Sequence, residues 1–255
     1  MIIRPTGRAV VALGLLAALL APCAPLAAET ADASAGSPTQ VDLELVLAVD
    51  VSGSVDPPEY QLQTRGLAQA FRDSEVLAAL QAPRRHGIAV TLIQWSGRFQ
   101  QAVGVDWTLV DDAASAEAFA RRIETMKRRY QAETGIAGAL AFALRQLQQN
   151  RFTGGRQVID ISGDGPSNVG GEPDPMRDAA AAARITINGL AIVNEIPSVD
   201  LYYTDHVIGG PDAFLQVAKD YDDFARAIRR KLLREIESAP IAARELPGPM
   251  LANGG

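Results

Sequence analysis

Cysteine is nearly absent: Cys23 is the single one in 255 residues. It lies in the N-terminal stretch read below as a leader, so the mature fold must hold without disulfides. Histidine is almost as scarce. A Ser-His-Asp triad would have to recruit His86 or His206, and neither lies in a strand-end context that would serve one. Both histidines read as surface or structural residues. No Gly-x-x-x-x-Gly-Lys-Ser/Thr run occurs, which removes P-loop nucleotide binding. No glycines frame Ser52 as a Gly-x-Ser-x-Gly elbow would require. Basic residues are outnumbered, 24 against 30 acids, so nothing favours a nucleic-acid or anionic-membrane partner. The runs Lys127-Arg128-Arg129 and Arg229-Arg230-Lys231 read as solvated helix ends or faces. Trp95 and Trp107 read as core or edge packing.

Long apolar runs are lacking too. Residues 9–20 form an apolar stretch shorter than the roughly 20 residues a membrane span requires. With Arg4 and Arg8 before it and Leu26-Ala27-Ala28 after it, residues 1–28 have the layout of a cleaved signal peptide. Proline before Cys23 fits a lipoprotein signal badly. The expected location is the periplasm or the cell exterior, with no membrane span once the signal is removed. Taking Arg4 and Arg8 away leaves 22 bases against 30 acids, a net charge of −8. Residues 29–40 read as a flexible lead-in, and residues 238–255, with Pro240, Pro247, Pro249 and a terminal Asn-Gly-Gly, as a disordered tail.

Between them, strand and helix patterns alternate. Apolar runs at 43–49, 87–95, 156–162 and 185–193 read as strands, with a shorter partner at 101–106 and an edge strand at 213–218. Helical spacing appears at 57–73, 112–126, 135–149, 174–183 and 221–237. The fold class expected over 41–237 is α/β: one doubly wound domain, its mostly parallel sheet covered by helices on both faces. In such sheets, sites gather beyond the carboxyl ends of the strands.

The informative residues fall there. Asp50-Val51-Ser52-Gly53-Ser54 follows the first strand, Gly163-Asp164-Gly165 follows the strand at 156–162, and Thr134 stands between them at the head of a helix. Two carboxylates and three hydroxyls are hard oxygen donors that suit Mg²⁺, Mn²⁺ or Ca²⁺ better than zinc or copper. The aspartates neutralise a dication, and the neutral hydroxyls leave it able to attract an outside anionic oxygen. Two bland alternatives stand beside this reading: Asp50 as a turn residue capping the next helix, and Thr134 as an N-cap. Asp160, in the same strand as Ser162 with Asp164 beyond its end, either supports the site from behind or makes a structural hydrogen bond elsewhere. Ser167 and Asn168 read as loop polar groups bordering the site.

This constellation resembles the von Willebrand factor A (vWA) domain and its metal-ion-dependent adhesion site (MIDAS), across residues 41–237. The resemblance implies Asp50, Ser52, Ser54, Thr134 and Asp164 as metal ligands, with Asp160 as a supporting residue. It also implies a Mg²⁺ (or Mn²⁺ or Ca²⁺) cofactor and a non-enzymatic role in which an acidic residue of a protein partner completes the coordination. The leader and the C-terminal helix resemble an uncharacterised group of exported bacterial vWA-like proteins. One departure matters: the family usually has threonine before the last Asp-Gly, where this chain has Gly163. The competing readings are a metal-assisted hydrolase and a constitutive structural component of a cell-envelope complex.

Overall fold

The computed structural model describes residues 38–82 and 86–238; the expected signal peptide and nearly all of the expected tail lie outside them. Six strands form one sheet: β1 (Thr39–Asp50), β2 (Ile88–Trp95), β3 (Gln101–Val110), β4 (Phe152–Gly163), β5 (Thr186–Ile192) and β6 (Leu215–Ala218), ordered β3-β2-β1-β4-β5-β6. All neighbours run parallel except β2 and β3, which form an antiparallel hairpin at one edge. β1 starts at Thr39, so the last residues assigned to the lead-in are strand.

Burial on both faces explains why β1 and β2 read as continuous apolar runs. Along β1, Leu43, Leu45, Leu47 and Val49 enter one cluster and Val46 and Ala48 the other. The first cluster is completed by α1 (Pro57–Arg72), α2 (Ser74–Leu80), α3 (Ala113–Glu124) and α7 (Phe224–Ser238). The second is completed by α4 (Ile136–Gln148), α5 (Asp174–Ala182) and α6 (Val199–Tyr202), which runs into a π-helical turn at Tyr203–Val207. Among the described residues no helix is long and apolar enough to cross a membrane.

The cap of α1 is Asp56, not Asp50. The Asp56 side chain accepts from Glu59 N–H, and the Glu59 carboxylate accepts from Asp56 N–H, a reciprocal capping box. Asp50 is thus left for other work at the end of β1. Thr134 is not a cap either; Gly135 holds the cap position of α4, with no side-chain bond.

Both basic runs depart from the solvated faces expected. Lys127 and Arg129 are exposed, but Arg128 turns inward. In the second run Lys231 is wholly buried, its ammonium 2.9 Å from Asp160 and 3.5 Å from Glu235. The physical reason lies in the helix: Ile228, Lys231, Leu232, Glu235 and Ile236 fall three or four positions apart, and all five are buried.

Candidate metal centre

Four of the five residues singled out as ligands meet in one hydrogen-bonded chain beyond the sheet's carboxyl edge. Asp50 Oδ1 accepts from Ser52 N–H at 2.7 Å. The Ser52 and Ser54 hydroxyls are 3.2 Å apart, and Ser54 donates to Asp164 Oδ1 at 2.8 Å. β1 and β4 are hydrogen-bonded neighbours, which is how residues more than a hundred positions apart meet. Asp50, Ser52 and Asp164 are buried while Ser54 is exposed, so the site opens to solvent on the Ser54 side.

Thr134 sits on the adjoining loop. That loop is tied to the Asp50–Ser54 turn by Gly53 N–H donating to the Ala132 carbonyl at 2.6 Å. Asn168 clamps it from the other side: Asn168 Oδ1 accepts from Thr134 N–H at 2.9 Å, and Asn168 N–H donates to the Thr134 carbonyl at 2.8 Å. Asp160 stands apart from this group. It pairs with Lys231 under α7.

Residues that sequence reasoning passed over hold the site in shape. The Arg128 guanidinium donates to the carbonyls of Val51 (3.0 Å) and Ser52 (2.7 Å), pinning the turn that presents both serines. Gln63 on α1 donates to the Asp50 carbonyl at 3.0 Å. Tyr221, just before α7, donates its hydroxyl to Asp164 Oδ2 at 3.0 Å. A signal for Arg128 existed: it lies past residue 126, where the helical spacing ends, so its run cannot be a helix face. Arg128→Met is expected to lower stability by about 1 kcal/mol, since it removes the side-chain donor to the Val51 carbonyl while the Ser52 carbonyl keeps Val55 N–H at 3.1 Å, and to weaken any ion the turn holds. Urea unfolding and ion titration of the variant check both.

The electrostatics are those of a site short of positive charge. Asp50 is fully buried, and its Oδ2 has no hydrogen-bond partner among the described residues. Burial, and after it the nearby Asp164 carboxylate, push the Asp50 pKa from 3.8 to about 8, against the pull of the Ser52 hydrogen bonds and Arg128. A dication placed among these oxygens would supply the missing charge. The donor set is all oxygen and the buried Oδ2 is free, so the residues fit a hard divalent ion.

His86 pairs with Asp42, the residue before Leu43 near the start of β1. His206 pairs with Asp174 and packs on the Tyr202 ring. Neither is bonded to Ser52 or Ser54. Glu172, Asp174 and His206 also bring three potential ligand atoms within 4.8 Å of one another, but Arg177 occupies the Asp174 carboxylate at 3.1 Å, as in an ordinary surface ion pair.

A family model described as "Protein of unknown function (DUF1194)" matches residues 40–240. The chain belongs to the DUF1194 family. No curated protein matches it in sequence. Among solved structures, this DUF1194 member resembles proximal thread matrix protein 1 of the mussel byssus, with a TM-score of 0.56 and 15% identity over 78% of this chain and 49% of that one. It thus spans about half the length of the byssus protein. It also resembles a von Willebrand factor type A protein from Catenulispora acidiphila (TM-score 0.51, 16% identity, 76% and 42% of the two chains). A third relative is the vWF domain of the type V pili tip protein Mfa5 from Porphyromonas gingivalis (0.55, 11%, 81% and 98%). A further structure of the byssus protein has a zinc-occupied MIDAS motif. At these identities the likeness is one of fold, and that fold is the vWA fold. The DUF1194 chain shares its doubly wound sheet.

Proposed function

We propose that this DUF1194 protein is an exported, non-enzymatic vWA module that holds a divalent ion and uses it to engage a carboxylate of a protein partner. Asp50, Ser52, Ser54, Thr134 and Asp164 would hold the ion, with Mg²⁺, Mn²⁺ or Ca²⁺ favoured by the oxygen donors. The observation that carries the reading is the unpartnered, fully buried Asp50 Oδ2 in a hydrogen-bonded chain that already joins both serines and Asp164. When bound, the ion supplies a positive centre facing the Ser54 opening, suited to an incoming anionic oxygen.

A protein partner is supported by the apolar groups on the same rim. Phe99, in the turn after β2, is 83% exposed, and Ile196 (38%) has its side chain beside Gly165. The turn carrying Phe99 packs on the Thr134 loop, Arg98 N lying 2.9 Å from where a Cβ on Gly135 would stand. Exposed apolar groups bracketing a polar centre suit a protein surface better than a small ion or solute. Export is supported by the layout of residues 1–28, and the pilus and byssus relatives are compatible with it. The zinc in a relative's MIDAS makes Zn²⁺ a necessary arm of any test.

Calorimetric titration of Mg²⁺, Mn²⁺, Ca²⁺ and Zn²⁺ into the EDTA-stripped chain is expected to give one ion per chain. Partner capture is then expected to disappear with EDTA and return with the ion. A chain that binds none of the four ions would sink the proposal. Capture insensitive to EDTA would replace adhesion with constitutive assembly.

A further inference from the structure

Gly163, next to Asp164 at the end of β4, has no side chain, and the Tyr203 hydroxyl comes nearest to the space that a side chain there would fill. A Cβ on Gly163 would stand 2.5 Å from the Tyr203 hydroxyl, 2.8 Å from Asp50 Oδ2 and 3.3 Å from Trp95 Cζ2. A threonine cannot be built there without moving the tyrosine. A second glycine borders the ring: a Cβ on Gly189 would lie 3.0 Å from Tyr203 Cδ1 and 2.7 Å from Leu215 Cδ1. Gly163 on β4 and Gly189 on β5 therefore form a socket, one for the hydroxyl and one for the ring edge.

Tyr203 is fully buried, and its hydroxyl has no hydrogen-bond partner among the described residues; the same holds for Asp50 Oδ2. A donor and an acceptor, each costly to bury alone, thus face the same gap. Tyr203 is also the first residue of the π-helical turn Tyr203–Val207. Such turns are rare and recur where a side chain is re-aimed at a functional site.

We propose that Tyr203 is a positioning residue of the metal centre, its hydroxyl facing the free oxygen of Asp50 across the space beside Gly163 and restricting where that oxygen can sit. The inference rests on the ion-binding reading above and adds a residue to it. Tyr203 and Tyr221 then play parallel parts, one phenol on each aspartate, the second already bonded to Asp164 at 3.0 Å. Groups that orient a ligand from outside the coordination sphere commonly change metal affinity by about 10- to 100-fold when removed.

The test is Tyr203→Phe, which keeps the ring in its socket and removes the oxygen. Titration of Mg²⁺ and Mn²⁺ is expected to show dissociation constants raised about tenfold, with the melting temperature of the EDTA-stripped chain unchanged or higher. A purely structural tyrosine would do the reverse, and a lowered metal-free melting temperature with unchanged affinity overturns the proposal. Gly163→Ala provides a second arm. Its methyl would crowd both the hydroxyl and Asp50 Oδ2, so it is expected to weaken ion binding in the wild-type background, and to do so less in Tyr203→Phe, where the hydroxyl no longer competes for that space. Equal losses in both backgrounds mean that the two residues do not share the gap, and the proposal fails. If the wild type itself binds no ion, the functional reading falls and this inference with it. If the wild type binds and Tyr203→Phe binds equally well, this inference alone falls.

Discussion

Replacing Asp50 with asparagine is expected to abolish divalent-ion binding and, in the same variant, raise the melting temperature of the metal-free chain. Most substitutions at a wholly buried residue destabilise, so the sign is diagnostic. Asparagine keeps the carbonyl oxygen that accepts from Ser52 N–H and removes a charge that burial and Asp164 both disfavour. Relief of that charge should be worth on the order of 2–4 kcal/mol, or roughly 5–10 °C in a domain of this size. Ion affinity should fall beyond calorimetric detection, because the buried Oδ2 that lacks a partner is the atom altered. Thr134→Ala should cost less affinity, since that loop is anchored through its backbone to Asn168 whatever the side chain. Differential scanning calorimetry with EDTA and with excess Mg²⁺ measures both signs. An asparagine variant that melts lower without metal and still binds the ion would return Asp50 to the role of a turn residue.

That Asp50 is legible in the chain as a candidate, and Tyr203 is not, has a physical basis. Asp50 follows an apolar run that alternates between two cores, and a carboxylate at such a strand end has few structural uses. The same logic singles out Asp164 and, through its helix head, Thr134 as candidates. Tyr203 depends on where a π-helical turn places it and on two glycines in different strands, none of which is written locally. Short elements were hidden for a related reason. The seven residues of α2 are too few to show a period, though Asp73 accepting from Glu75 and Val76 N–H marks its start. β3 runs on to Val110, past the expected end, because its half-buried pattern and the register shifts opposite Val90 and Leu92 break strict alternation. The central strands, by contrast, were legible as strands because β1 and β2 are apolar runs buried on both faces, although their order in the sheet is not written locally.

Lys231 lies at helical spacing with Ile228, Leu232 and Ile236, a period written in the sequence, and it leads to the largest expected loss of stability. Lys231 and Glu235 share the buried stripe of α7 with Ile228, Leu232 and Ile236, and Asp160 interrupts the apolar face of β4 beneath them. Two acids buried near one lysine need further help, which comes from Arg156 at 3.4 Å and from Asn188 on β5, the register neighbour of Asp160. Lys231→Met leaves Asp160 buried with no cation beside it. Removing one member of a buried pair costs about 3–5 kcal/mol, enough to threaten folding at ordinary temperature. The loss should depend on pH. Burial, against the pull of Lys231, already raises the Asp160 pKa from 3.8 to about 6. A raised carboxyl pKa means that the folded state holds the proton more tightly, so this stability is present below about pH 4 and is lost as pH rises through 6. Without Lys231 the folded pKa should climb further, and the variant should approach the wild type at pH 5 while falling well below it at pH 7.5. The double variant Asp160→Val with Lys231→Met removes that pair and should recover the part of the loss due to Asp160 at every pH, Glu235 keeping Arg156 at 3.4 Å and Asn188 as partners. Urea unfolding of the four proteins at the two pH values yields the coupling energy. Additive losses, or a Lys231→Met penalty that does not shrink in acid, would show that α7 is held by its apolar stripe alone and that the buried ions are tolerated passengers.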